Sequence, residues 1–78
     1  MSVGSSRVIW DYPHIQRMMI ERDDLAAKIV KLSRYYDEHF AELTVKQRDL
    51  MAKQLTAMRA YSDILHQRIS YDIQYYSK

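Results

Sequence analysis

The sequence has no cysteine, and it has only one glycine and one proline in 78 residues. Without cysteine the chain can form neither a disulfide nor a thiolate site for zinc or for attack on a substrate. With so little glycine and proline, it lacks the residues that most often interrupt helices and form tight turns. The composition therefore predicts long helices, and the length allows a single domain, residues 1–78, with a small core.

Long apolar runs and a strong excess of one charge are missing as well. No stretch approaches the ~18 apolar residues of a membrane span, and no signal peptide is visible. We therefore expect a cytoplasmic protein without a membrane partner. The formal net charge is +2. This is too small to predict binding to duplex nucleic acid, which usually requires a clustered basic face.

Signatures of catalysis and of metal binding are also missing. Gly4 is the only glycine, so there is no glycine-rich loop to hold a phosphate group. The three histidines, His14, His39 and His66, lie far apart in the sequence, and none has a partner at a clear metal-ligand spacing. The sequence therefore predicts no metal site, no cofactor and no enzymatic activity.

A first helix is expected over residues 12–38, after a flexible N-terminal arm of residues 1–10. Pro13 suits the first helical turn, where its missing N–H is not needed, and Asp11 is placed to accept a hydrogen bond from that turn. The apolar residues then follow in steps of three and four, which is a heptad pattern in which Arg22 takes one apolar position. They are Ile15, Met18, Leu25, Ile29, Leu32 and Tyr36.

A second helix is expected over residues 45–76, because Thr44 and Gln47 have the spacing of a capping box. Its apolar residues form two adjacent seams. The first seam is Met51, Leu55, Met58, Ser62, Leu65, Ile69 and Tyr76, and the second seam is Leu50, Ala57, Tyr61, Ile64, Tyr71 and Tyr75. Phe40 and Leu43, in the link between the helices, are expected to pack against the ends of both.

The two seams together form an apolar face wider than one partner helix can cover. The link and the second helix start favour a chain that folds back on itself. The sequence therefore predicts an all-α protein, an antiparallel helical hairpin that assembles as a homo-oligomeric bundle. An extended coiled coil is the alternative.

Several cations and rings interrupt or border the apolar pattern. Arg22 either extends outward or pairs with a glutamate across an interface, or else it faces a polar pocket between protomers. Lys28 is either a solvated lysine or a phosphate anchor, and Arg68 interrupts the second seam. The tyrosines near the C-terminus suit either an oligomer core or stacking on bases. They are Tyr71, Tyr75 and Tyr76.

The pattern of charged and apolar positions resembles a family of small phage proteins related to a crAss-like phage protein. The matching residues are Glu21, Arg22, Leu25, Lys28, Ile29 and Leu32, followed by Gln54, Leu55, Met58, Tyr61, Leu65, Arg68 and Ile69. The helical layout is also similar to that of the phage anti-CBASS sponges, which trap cyclic nucleotide signals between protomers without cleaving them. Sponges use an N-terminal tyrosine and a lysine on a helix, and the resemblance implies these roles for Tyr12 and Lys28.

The resulting hypothesis is a phage anti-defence protein that sequesters a cyclic di- or oligonucleotide or a cyclic ADP-ribose-type signal. Its predicted ligand-binding residues are Tyr12, Arg17, Arg22, Lys28, Tyr61 and Arg68. The alternatives are a helical module that inhibits a host protein and a phage structural or assembly factor. Around Pro13, the rings of Trp10, Tyr12 and His14 are expected either to staple the oligomer or to close over the ligand.

Overall fold

The computed structural model describes residues 10–77, and every regular element within them is a helix. Helix α1 covers Pro13–His39, a 3₁₀ turn covers Phe40–Glu42, and helix α2 covers Val45–Tyr76. The two long helices pack against each other in a hairpin that measures 52 × 19 × 16 Å. This confirms the predicted all-α class with two helices. Of the arm expected over residues 1–10, only Trp10 lies within the described residues.

Helix α1 begins at its proline, but its cap differs from the prediction. Pro13 occupies the first turn, as expected, and the residue before it, Tyr12, is the N-cap. No side chain caps the helix; the Ile15 N–H donates to the Tyr12 carbonyl oxygen at 2.9 Å. The expected capping role of Asp11 is wrong, because a proline at the first helical position makes residue 12 the cap and leaves Asp11 outside it.

Helix α2 begins with the capping box that the sequence predicts. The Gln47 N–H donates to Thr44 Oγ1 at 3.1 Å, and the Thr44 N–H donates to Gln47 Oε1 at 2.8 Å. Two backbone donors that the helix itself cannot satisfy are satisfied by side chains. The box therefore fixes where the chain turns back toward α1.

The link contacts both helices through Phe40. Its ring meets Tyr36 of α1 edge-on at 5.4 Å, and the Arg48 guanidinium of α2 lies 4.0 Å above its centre. Arg48 Nε also donates to the Phe40 carbonyl oxygen at 2.8 Å. Phe40 nevertheless remains 44% exposed, and Leu43 is half-buried, so the link borders the core without extending it.

The core of the hairpin is a narrow line of side chains between the helices. It consists of Ile15, Met18 and Leu25 from α1 and Leu55, Leu65 and Ile69 from α2. The residues from α2 all belong to the first seam, so this seam faces α1. The second seam stays on the surface, where Ile64 is 53% and Tyr71 65% exposed.

Candidate functional site

A groove of about 410 Å³ runs along one side of the hairpin and combines charged, apolar and aromatic side chains. Its lining residues are Arg17, Ile20, Glu21, Asp24, Leu25 and Lys28 from α1 and Tyr61 from α2. We call it the Tyr61 groove. Its floor is the buried side chain of Leu25, and its rim is exposed. A pocket of this size that mixes apolar walls with a few polar groups is typical of small-molecule sites.

The charged residues of the Tyr61 groove lie in a row along α1. Arg17, Glu21, Asp24 and Lys28 are spaced by four, three and four residues, which places them on one face of a helix. At a rise of about 1.5 Å per residue, the two cations are about 16 Å apart along the axis. The groove thus has a positive charge near each end and two carboxylates between them.

These four charged groups do not pair with one another. The i,i+4 spacing of Asp24 with Lys28, and of Arg17 with Glu21, is the spacing at which ion pairs form on helices. The ion pairs between described residues nevertheless lie elsewhere. They are Arg22–Asp23 and Lys53–Asp49, and two histidine–carboxylate contacts, His14–Asp72 and His39–Glu42, also lie outside the groove. The cations and carboxylates of the groove therefore remain available to a ligand.

The antiparallel register sets the ring of Tyr61 opposite one turn of α1. His14 meets Asp72 and Tyr12 meets Tyr76, and this pairing continues along the hairpin. It places Tyr61 opposite the turn that runs from Asp24 to Lys28. The Tyr61 ring is 43% exposed, so one part of it packs on the protein and another part is open to solvent.

Three of the residues predicted from the sequence to bind a ligand meet in the groove: Arg17, Lys28 and Tyr61. Arg68 lies outside it, exposed and seven residues after Tyr61, which puts both on the same face of α2. The register brings Arg68 to about the level of Arg17, on the same side of the hairpin but outside the groove lining.

Arg22 has a different position from the other cations. It is half-buried beside the core, and its Nε donates to Asp23 Oδ1 at 3.1 Å. It is not part of the groove lining. The pairing with a neighbouring carboxylate on its own helix satisfies its charge, and its predicted role in ligand binding stays a prediction.

Tyr12 lies at the open end of the hairpin, away from the groove. Its ring stacks on Tyr76 with 4.1 Å between centroids, and it meets His14 edge-on at 6.1 Å. His14 Nε2 lies 3.2 Å from Asp72 Oδ2 on α2. We call these four residues the end clamp. They join the two helices of one chain. The sequence did not indicate this role for Tyr12 or His14. Trp10, the third aromatic residue near Pro13, is not part of the clamp and is 72% exposed.

Glu21 and Asp24 are possible ligand contacts that were not predicted from the sequence. Both face the groove between its two cations. Their spacing was the available signal, because they fall at i,i+4 from Arg17 and Lys28 and so share their face of the helix. The predicted site contained only cations and aromatic rings, so it did not include these two carboxylates, which are hydrogen-bond acceptors.

A second groove, of about 390 Å³, lies on the opposite side of the hairpin. Arg34 of α1 and Arg59 of α2 face it, together with Asp37 and Glu38. Its lining has no aromatic ring, unlike that of the Tyr61 groove. Across residues 10–77 no group of three or more side chains is arranged to hold a metal ion.

None of the helices in the described part of the chain is both long enough and apolar enough to cross a membrane. Comparison with known proteins gave no match among curated proteins and none among solved structures. A protein-family model described as Sequestin matches residues 12–71. This range covers all of α1, α2 as far as residue 71, and every residue of the Tyr61 groove. The chain belongs to the Sequestin family.

Proposed function

We propose that this protein sequesters a cyclic nucleotide or a related nucleotide signal without cleaving it. In this role it is a phage anti-defence protein that acts in the cytoplasm of an infected bacterium. The observation that carries the proposal is the Tyr61 groove, in which unpaired cations flank an exposed tyrosine ring. The name of the Sequestin family, which describes sequestration, supports the same role.

The chemistry of the groove matches the parts of a nucleotide. Lysine and arginine make charge-assisted hydrogen bonds to phosphate oxygens, and Lys28 and Arg17 are the groove's cations. A tyrosine ring can stack on a nucleobase, and Tyr61 is 43% exposed and lines the same groove as Lys28. Arg68, at the level of Arg17, adds a third positive charge to the same side of the hairpin.

Sequestration sets a requirement on affinity. The protein acts stoichiometrically, so it lowers a micromolar signal only if its dissociation constant is well below micromolar. That corresponds to a binding free energy beyond about −8 kcal/mol. A preformed groove helps, because little conformational entropy is lost when the ligand binds. The groove stands on two packed helices, and Leu25 in its floor belongs to the core.

A second copy of the chain would complete the site. Tight small-molecule sites bury about 70–90% of the ligand surface, whereas the Tyr61 groove is open along one side. The second seam of α2 runs beside it with exposed apolar side chains at Ile64, Tyr71 and Tyr75. We propose that this seam packs against another protomer, which encloses the ligand and forms the homo-oligomer.

Capture and release tests the proposed function. The purified protein is incubated with cyclic dinucleotides, cyclic trinucleotides and cyclic ADP-ribose isomers, and free ligand is removed by filtration. The retained ligand is released by heat and identified by mass spectrometry. We expect one class to be retained and recovered intact. Complete passage of every ligand into the filtrate at micromolar protein would refute nucleotide capture, and a cleaved product would refute capture without catalysis.

Light scattering tests the assembly through the second seam. Ile64→Glu places a charge on the exposed seam and should reduce the oligomer to a smaller species. Gln67→Glu is a suitable control, because it adds the same charge to another exposed position of α2. A wild-type protein that is monomeric at micromolar concentration would contradict the assembly.

The exposed seam also favours a second candidate function, the inhibition of a host protein. An apolar helical face with tyrosines is a common recognition surface for another helix or groove. Tyr71 and Tyr75 lie parallel, 6.1 Å apart, and are more than half exposed. If Lys28→Glu preserves the anti-defence effect in infected cells while Tyr71→Glu abolishes it, protein inhibition replaces nucleotide capture as the function.

A further inference from the structure

We propose that Asp24 reads the base of the captured nucleotide and selects guanine. This inference rests on the proposed nucleotide capture and adds to it the identity of a base. It begins from an unusual feature of the Tyr61 groove: two carboxylates lie between the cations on the same wall. In a site that only held phosphate, carboxylates would weaken binding by like-charge repulsion.

The position of Asp24 suits an acceptor for a base edge. In the antiparallel register, Tyr61 lies across the groove from the turn that joins Asp24 to Lys28. In the proposed complex, a base stacked on Tyr61 directs its edge at this turn of α1. Glu21 lies about 4.5 Å further along the helix axis, toward Arg17. Along the helix axis, Asp24 is thus the groove carboxylate closest to the level of Tyr61, and Lys28 is the groove cation closest to that level.

The Asp24 carboxylate has acceptor capacity to spare. Within residues 10–77 it takes part in none of the ion pairs, although Lys28 stands at the favourable i+4 position. An ionised carboxylate has two oxygens and accepts hydrogen bonds only. The groove therefore presents the Asp24 carboxylate, which accepts hydrogen bonds, one turn from the Lys28 ammonium, which can bind an anion.

Guanine supplies the matching donors. Its Watson–Crick edge carries N1–H and the 2-amino group next to each other, and these two donors match the two oxygens of one carboxylate. Adenine presents one amino donor beside an acceptor nitrogen, and uracil presents one N–H between two carbonyl oxygens. Both place a lone pair against the carboxylate, which is unfavourable. A bidentate contact of this kind discriminates between bases by about 10- to 100-fold.

Calorimetric titration of the full chain with defined cyclic dinucleotides tests the inference. The probes are cyclic di-GMP, cyclic di-AMP and cyclic di-IMP; inosine keeps N1–H but lacks the 2-amino group. We expect cyclic di-GMP to bind at least about 10-fold more tightly than cyclic di-AMP, with cyclic di-IMP between them. Asp24→Asn should reduce the preference to less than about 3-fold, because the amide replaces one acceptor by a donor.

Asp63→Asn provides the matched control. It makes the same change of side chain at an exposed position of α2 outside the groove, and it should leave the preference for guanine unchanged. Circular dichroism verifies that both variants keep their helices. The inference is overturned if the wild type binds cyclic di-AMP as tightly as cyclic di-GMP, or if Asp24→Asn keeps the full preference; nucleotide capture itself survives both outcomes. If none of the probes binds, capture of these nucleotides is refuted and the inference with it.

Discussion

The end clamp and the Tyr61 groove contain the same kinds of side chain in opposite states. Each contains tyrosine, a carboxylate and a side chain with a basic nitrogen, and in each region both halves of the hairpin contribute residues. In the clamp these groups satisfy one another: Tyr12 stacks on Tyr76, and His14 meets Asp72. In the groove, Asp24 and Lys28 lie one turn apart without forming an ion pair.

The difference arises from where the residues stand on their helices. The clamp residues project across the interface between α1 and α2, where a partner from the other helix is within reach. The groove residues stand on the flank of α1, one position before the residues of the apolar line, and they face solvent. Residue type alone therefore does not separate a structural contact from a ligand site; the availability of a partner within the fold does.

Among the substitutions that distinguish the Tyr61 groove from the end clamp, Lys28→Glu should have the largest effect on ligand capture. It reverses the charge nearest to Tyr61, and we expect capture of a cyclic dinucleotide to weaken by about 100-fold or more. The free energy of unfolding should change little, because Lys28 is exposed and makes no ion pair among the described residues. Calorimetry and urea unfolding measure the two quantities.

Lys46→Glu is the control for this change, since Lys46 is exposed at the start of α2 and outside the groove. The Lys46→Glu variant should bind the cyclic dinucleotide with the same affinity as the wild type. Equal weakening in both variants would mean that net charge governs capture, and the distinct role of the groove would be lost.

Tyr76→Ala should instead lower the stability of the protein and leave ligand capture nearly unchanged. It removes the ring on which Tyr12 stacks, and we expect the free energy of unfolding to fall by about 2 kcal/mol. Ligand capture by the folded protein should stay within about 3-fold of the wild type, because the clamp lies outside the groove. Tyr76→Phe keeps the ring and should keep the stability. A large loss of capture at unchanged stability would instead place Tyr12 and Tyr76 in the ligand site.

Arg17→Gln should weaken capture by about 10-fold, the effect of one charged hydrogen bond to a phosphate. We expect a smaller effect than that of Lys28→Glu, because Arg17 lies at the end of the groove, further from Tyr61. Arg34→Gln, which faces the groove on the other side of the hairpin, is the matched control. If Arg34→Gln has the larger effect, the ligand binds on that opposite side.

Asp72→Asn should have the smallest effect. It removes the charge opposite His14 but keeps a hydrogen-bonding oxygen, and both side chains are partly exposed, at 39% and 25% for His14 and Asp72. We expect less than about 1 kcal/mol of lost stability by urea unfolding, with no change in capture. A loss above about 2 kcal/mol would show that the His14–Asp72 contact contributes more to the stability of the clamp than the ring stack does.

The parts of the fold that the sequence predicts well depend on local interactions. The capping box at Thr44 and the start at Pro13 each involve residues within one helical turn, and the apolar spacing reports which face of each helix is buried. The Asp11 cap was wrong because the proline fixes the cap one residue later. Periodicity also could not decide which seam of α2 faces α1, since both seams have the same spacing.

The parts that could not be predicted depend on distant partners. His14 and Asp72 are 58 positions apart in the sequence, so nothing local to either residue indicates the other. The sequence therefore did not indicate that Tyr12 packs within its own chain, and the predicted role of the rings near Pro13 in an oligomer or a ligand site stays a prediction. For the same reason the sequence identified Arg17, Lys28 and Tyr61 only by residue type, without the register that brings them to one groove.

The end clamp also has a kinetic consequence. Contacts near the link, such as Arg48 with Phe40, close a loop of a few residues, whereas the clamp joins positions at the two far ends of the helices. Because the entropy lost on closing a loop grows with its length, we expect the hairpin to form from the link outward. The clamp is then the last contact to form and the first to break, and backbone amide exchange should spread from that end toward the link.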